Sequence, residues 1–197
     1  LELKSMEKEM EQLLTKIDNK YIMHIYEFGE SGSYKYIVQE FIQGNNLNVF
    51  MSNNNLLLED LLNISYGIVS ALQYLETFNL SHKDIKPSNI IYDKSKKIAK
   101  LTDLDYVGIQ TSVSQNYVGT IKYSSPEQII DNRPSNKADV YSYGMVLCFM
   151  ILGNVPFDVD MKKTIYQIKI EVENVLKKIT GLKRDIVCKI IKLLSGL

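Results

Sequence analysis

Arginine is almost absent from this chain: only Arg133 and Arg184 carry a guanidinium, while Lys, Ile and Asn are plentiful. Net charge is lacking too, since 23 Lys plus Arg face 23 Asp plus Glu over 197 residues. A neutral chain has no field that draws nucleic acid or anionic lipid indiscriminately, so partners must be met at local sites. Cysteine is scarce. Cys148 and Cys188 lie inside apolar helical patterns, which argues against a bridge or a metal-binding spacing and points to buried thiols in reducing cytoplasm. No apolar run suits a bilayer core of roughly 30 Å, because the longest, Val140 to Phe157, is broken by Ser142, Gly144, Gly153, Asn154 and Pro156. No basic segment followed by an apolar one opens the chain, and residue 1 is Leu, which suggests a fragment or a processed start. What is present is 45% apolar residues, enough for one domain with a core or for one lobe of something larger.

Leu3, Met6, Met10, Leu13, Leu14 and Ile17 fall at helical spacing and predict an amphipathic helix over 3–17. Tyr21 to Phe28 and Tyr34 to Phe41 read as strands joined by Gly29-Glu-Ser-Gly-Ser, a hairpin connection. After Gly44-Asn-Asn the pattern turns helical. Leu57, Leu61, Ile64, Ile68, Ala71, Leu72 and Leu75 then repeat at steps of three and four, predicting a helix of about five turns that ends near Phe78-Asn79. A polar loop, Ser81 to Asn89, leads to a small hairpin of Ile90 to Tyr92 and Ile98 to Leu101. Residues 103–127 carry little periodicity, and a connection that long inside a compact domain is usually functional. Three more helices are predicted, near 136–152, 160–178 and 182–195.

His82-Lys83-Asp84 alone is more often a capped turn than a reactive site. Lys86 follows two residues after Asp84, Asn89 five after and Asp103 nineteen after, directly past a β-like run, so order and spacing constrain each other. His82 to Asn89 closely resembles the catalytic loop H-R-D-L-K-x-x-N of eukaryotic-type protein kinases, with the Lys at plus two that marks the serine/threonine branch. Asp103-Leu104-Asp105 occupies the place of D-F-G. Gly119-Thr120 to Ser125-Pro126-Glu127 resembles the G-T-x-x-Y-x-A-P-E end of the activation segment. Lys137 to Gly144 resembles the S-D-V-W-S-x-G helix, and Gly153 to Phe157 its G-x-x-P-F exit.

The resemblance implies an α+β, protein-kinase-like fold. Residues 1–41 would be a partial small lobe, with helix C and two or three antiparallel strands. Residues 42–197 would be a mostly helical large lobe with the hinge, catalytic loop, activation segment and helices D to H. It implies transfer of the γ-phosphoryl group of ATP to a Ser or Thr hydroxyl of a protein substrate, with Mg²⁺ as cofactor. Phosphoryl transfer asks for positioning and charge neutralisation more than covalent chemistry, so a carboxylate, a cation and a metal cradle suffice. Asp84 would accept or orient the hydroxyl proton, Lys86 would sit beside the γ-phosphate, and Asn89 and Asp103 would hold the metal. Thr120 would bond near Asp84 and Lys86. Gln39 would be the gatekeeper, the backbone of Glu40 and Ile42 would pair with adenine, and Ile91 would lie under it. Asp139 would scaffold the catalytic loop, and the arginine partner of Glu127 would lie beyond residue 197. His24 reads as an ordinary packed or surface histidine.

The departures from the pattern matter as well. No glycine-rich loop and no V-A-I-K lysine precede the first helix, and the end also looks cut, so the resemblance covers the middle and lower part of such a domain. In strict register the position of the helix glutamate holds Met10; a one-residue adjustment would bring Glu9 there instead, with Glu11 on the other side. Lys83 replaces an arginine, which makes switching through phosphorylation at Thr111, Ser112 or Ser114 doubtful. Asp105 replaces a Gly and would either disturb the metal or add a ligand. A second reading is therefore a pseudokinase that binds or scaffolds without transfer. A third, a small-molecule phosphotransferase, shares the His-x-Asp but is opposed by Gly119-Thr120 and Ser125-Pro126-Glu127, which build a peptide platform.

Overall fold

Apolar side chains at three- and four-residue steps generate the longest helix. In the computed structural model, which describes residues 2–104, 107–109, 120–125, 128–129 and 136–153, Leu61, Ile64, Ile68, Ala71 and Leu75 form one buried stripe. Four helices are described. They are α1 (Glu2–Leu14), α2 (Leu47–Asn53), α3 (Leu58–Thr77) and α4 (Asn136–Leu152). Strands β1 (Ile25–Ser31) and β2 (Tyr34–Gln39) form an antiparallel hairpin. β3 (Asn45–Asn46), β5 (Ile90–Asp93) and β6 (Ile98–Leu101) form a second sheet, and β4 (Leu80–Ser81) pairs with β7 (Gly108–Ile109).

Helix α1 ends three residues before its sequence pattern does. Lys16 and Ile17 donate to the carbonyls of Leu13 and Leu14 at 3.0 and 3.2 Å, so the last turn tightens to i→i−3 bonding while Ile17 stays buried. The strand expected from Tyr21 is divided. Residues 21–23 attach to β6, with Met23 N–H on Leu101 O and Leu101 N–H on Tyr21 O, both at 2.8 Å. β1 proper then runs from Ile25 through Gly29 to Ser31, and the turn is Gly32-Ser33 with Gly32 at φ 63. Gly29 lies under the exposed Tyr36 ring, whose end would have to move aside for a Cβ there. Phe41, expected in the second strand, lies past its end and is 90% exposed.

Helix α2 begins on Asn46, whose Oδ1 accepts the Val49 N–H at 3.1 Å, a side-chain N-cap. Gly44 precedes it where a Cβ would approach Tyr92 O to 2.6 Å. Helix α3 packs on β6 at Gly67, where a Cβ would lie 2.9 Å from Ala99 O. Leu57, read as part of its buried stripe, sits at the N-cap and is more than half exposed. The helix ends at Phe78, followed by Asn79 in the left-handed region at φ 54. Helix α4 is apolar on all sides and correspondingly buried, with Tyr143, Val146, Leu147 and Met150 in the core. It stops at Gly153, φ 80, whose N–H returns to Phe149 O at 2.9 Å. Cys148 is buried and free, and burial pushes its thiol up to about 11. The helices expected near 160–178 and 182–195, Cys188 and the exit motif after Gly153 lie outside the described residues.

Candidate active site

The segment from His82 to Asn89 leaves β4, makes one 3₁₀ turn at Pro87–Asn89 and enters β5. Its backbone is held from beneath by Asp139 of α4, a buried carboxylate whose Oδ2 accepts the His82 N–H at 2.6 Å and whose Oδ1 accepts the Lys83 N–H at 2.9 Å. Burial pushes the Asp139 carboxyl above its usual value, against the pull of those two N–H donors. His82 is fully buried. Its Nδ1 accepts the Asp84 N–H at 3.3 Å, so Nε2 carries the hydrogen and donates to Thr102 O at 3.0 Å. Lys83 takes φ 72, a left-handed conformation costing roughly 1–2 kcal/mol that the ties on either side of it sustain. Burial lowers the Lys83 ammonium below its ordinary value although Asp139 opposes the shift.

These ties aim Asp84 into a cluster of polar groups. Its Oδ1 accepts from Thr120 Oγ1 at 2.9 Å and its Oδ2 from Lys86 Nζ at 2.5 Å. Lys86 Nζ also donates to Thr120 Oγ1 at 3.1 Å. Asn89 Nδ2 donates to Asp84 O at 2.9 Å and to Asp84 Oδ2 at 3.2 Å, which turns its Oδ1 away from Asp84. Asp84 and Asn89 are buried and Lys86 is part-exposed, so the carboxylate is reached along the lysine side. Asp84 thus brings the sequence-predicted residues Lys86, Asn89 and Thr120 together around one carboxylate. Asp103, half-buried and left-handed at φ 62, follows Thr102, whose carbonyl accepts from His82 and whose N–H donates to Asn89 O at 2.9 Å.

The predicted adenine residues surround a different hinge of the chain. Glu40 donates its N–H to His24 O at 2.8 Å, and its carboxylate accepts from His24 N–H at 3.2 Å and from Lys100 Nζ at 2.6 and 2.7 Å. Burial alone would raise the Glu40 carboxyl, but Lys100 and the His24 N–H outweigh it and hold it below the usual 4.5. A carboxyl lowered on folding contributes stability above its unfolded value and loses it as the pH falls through the folded one. Lys100→Met is expected to cost about 1–2 kcal/mol at neutral pH, between exposed and buried pairs. Urea unfolding at pH 7 and below pH 4.5 checks this, because the deficit must shrink in acid. Gln39 is exposed, Ile42 and Ile91 are half-buried, and Ile91 pairs with Asn46 and Lys100.

A cavity of about 580 Å³ lies elsewhere, between α1, the β1–β2 hairpin, Leu104 and Val107. Met10 and Glu11 both line it, while Glu9 is exposed. His24 makes an ordinary packing contact, edge-to-face on Tyr26 with Nδ1 3.0 Å from Ile17 O. Lys100 and Gln128 were not singled out from the sequence, and nothing local marks them. Asp105, Thr111, Ser112, Ser114, Gly119, Pro126, Glu127, Arg133 and Arg184 lie outside the described residues.

Known proteins resemble this chain in sequence. The family model for the protein kinase domain matches residues 2–195. The chain is 35% identical over 155 residues to the serine/threonine-protein kinase PrkC of Bacillus subtilis, covering 75% of this chain and 23% of that protein. It is 30% identical over 152 residues to a probable serine/threonine-protein kinase, PknB, of Lactococcus lactis, covering 75% of this chain and 24% of that protein. With HSL1 of Saccharomyces cerevisiae, a probable serine/threonine-protein kinase, it shares 28% identity over 185 residues, 91% of this chain and 12% of that one. The chain therefore spans less than a quarter of the length of these relatives. No helix among the described residues is long and apolar enough to cross a membrane. The catalytic-loop cluster, the buried Asp139 beneath it and the match over nearly the whole length agree: the chain belongs to the protein kinase domain family.

Proposed function

We propose that this chain is the catalytic region of a serine/threonine protein kinase, moving the γ-phosphoryl group of ATP to a Ser or Thr hydroxyl of a protein in the cytoplasm. The observation that carries the reading is Asp84, a buried carboxylate flanked at 2.5 to 3.2 Å by Lys86, Thr120 and Asn89. Asp84 accepts, or orients, the proton of the acceptor hydroxyl. Lys86 brings a compact positive charge to the transferring phosphate. Thr120, bonded to both, fixes their separation. The relatives' printed names support a Ser or Thr acceptor.

Magnesium, when bound, would supply charge neutralisation at the transferring phosphate. Asn89 and Asp103 would hold it. Asn89 has its amide nitrogen committed to Asp84, so its hard oxygen, which also accepts from Ser88 Oγ at 3.2 Å, would be the ligand atom. Among the described residues no group of three or more His, Cys, Asp or Glu gathers as a metal cage, and magnesium characteristically uses one or two protein oxygens with substrate phosphates. For adenine, the N–H of Glu40 is taken by His24, so Glu40 offers its carbonyl. Ile42 offers backbone, Gln39 guards the entrance and Ile91 supplies apolar contact.

One observation favours a second reading, a binding module without transfer: Met10, where the resemblance expects a glutamate, lines the cavity beside α1 and packs on the core. Thermal melting of the full-length protein separates the two. Saturating Mg·ATP is expected to raise the midpoint, by an amount equivalent to about 2.7 kcal/mol at a hundredfold excess over Kd. Asp103→Asn is expected to remove most of that shift. A parent protein that shows no shift at all would overturn the catalytic reading in favour of the module.

A further inference from the structure

The geometry points to Gln128 as a positioning residue that ties the end of the activation segment to Asp84. The inference rests on the catalytic reading above and goes beyond it. Gln128 is 2% exposed, and its Nε2 donates to Lys83 O at 2.7 Å across 45 residues of sequence. A carbonyl can only accept, so the amide orientation follows from the contact itself. The carbonyl of Lys83 and the N–H of Asp84 belong to one peptide unit. That unit is pinned at its oxygen by Gln128 and at its nitrogen by His82 Nδ1.

The pin acts where the backbone is least content to stay. Lys83 is left-handed at φ 72, and the preceding N–H is fixed on Asp139. With the nitrogen side anchored, freeing the carbonyl lets the Lys83–Asp84 peptide rotate, and rotation there swings the Asp84 carboxylate. Gln128 is itself anchored on its own segment, because its N–H meets Ser125 Oγ at 3.3 Å and the Ile129 N–H meets Ser125 O at 3.0 Å. Ser125 is fully buried. Thr120 at the other end of the same stretch holds the Asp84 side chain through Oδ1. The segment that would receive the protein substrate thus grips Asp84 twice, by its carboxylate through Thr120 and by its main chain through Gln128.

The test is Gln128→Met in the full-length protein, which keeps length and apolar volume but removes the donor. The expected result is a fall in kcat of about tenfold, with the ceiling near the 10²-fold that a displacement on the order of 1 Å costs. KM for ATP and the Mg·ATP-induced thermal shift are expected to stay as in the parent. An unchanged kcat overturns the inference. So does a parallel loss of kcat and of the nucleotide shift, which is what a merely structural residue produces. If Gln128→Met does not fold, Gln128→Glu, which preserves shape but faces Lys83 O with an acceptor, is read the same way; failure of both to fold assigns Gln128 to stability alone and also overturns the proposal. Asp84→Ala in the same assay separates the two levels. Full activity in that variant sinks the catalytic reading itself, whereas its loss beside an intact Gln128→Met sinks only the role of Gln128.

Discussion

Asp84→Ala is expected to lower phosphotransfer by about 10²- to 10⁴-fold, the range carried by a positioned general base, while Mg·ATP still stabilises the protein. The carboxylate is the one group that touches Lys86, Thr120 and Asn89 together, so no neighbour can replace it. Its removal leaves Lys86 with Thr120 as partner and with a quarter of its side chain exposed to water, so the stability change is small compared with the activity change. That contrast is the point of the experiment. Asp84→Asn keeps shape and one acceptor oxygen but no negative charge, and it is expected to fall with the alanine variant. Steady-state kcat with a protein substrate, paired with a melting curve, gives both numbers; retained turnover in either variant removes Asp84 from the chemistry.

What could be read from sequence followed the range of the interaction. Helix α3 was legible because Ile64, Ile68, Ala71 and Leu75 repeat a local rule, and its burial against β6 obeys the same periodicity. Asp84, Lys86 and Asn89 were legible because they stand within six residues of one another in a loop whose order is constrained. The division of the first strand was not. β character is visible in Tyr21 to Phe28, but nothing local says that residues 21–23 pair with Leu101 while Ile25 onward pairs with β2. Lys100 on Glu40 and Gln128 on Lys83 escaped for the same reason, being contacts across 60 and 45 residues. The α1 register was left open by sequence because Glu9, Met10 and Glu11 are adjacent; Met10 packs on the core and lines the cavity together with Glu11.

Asp139→Ala is expected to destabilise the protein by about 2–4 kcal/mol and to loosen the catalytic loop before the rest of the core. Two N–H groups, those of buried His82 and half-buried Lys83, lose their acceptor, and each orphaned donor costs roughly 1–3 kcal/mol. Relief of the desolvation that raises the Asp139 carboxyl offsets part of that cost, and alanine is the better helix former by up to about 0.7 kcal/mol. The balance still favours loss, since the donors cannot turn to water: His82 is fully buried and Asp139 is 3% exposed. Asp139→Asn keeps one oxygen and sets an NH₂ against the other donor, so it is expected to cost about half as much. The conformational consequence is the larger one for function. Lys83 stays at φ 72 only while its N–H and carbonyl are both held, by Asp139 and Gln128, and without the first tie the peptide carrying Asp84 relaxes toward ordinary backbone angles. Urea unfolding measures the first effect, and hydrogen exchange at the His82 and Lys83 amides measures the second. Full protection of those amides in Asp139→Ala would show that the loop stands without α4, and the scaffold role argued for Asp139 would then be wrong.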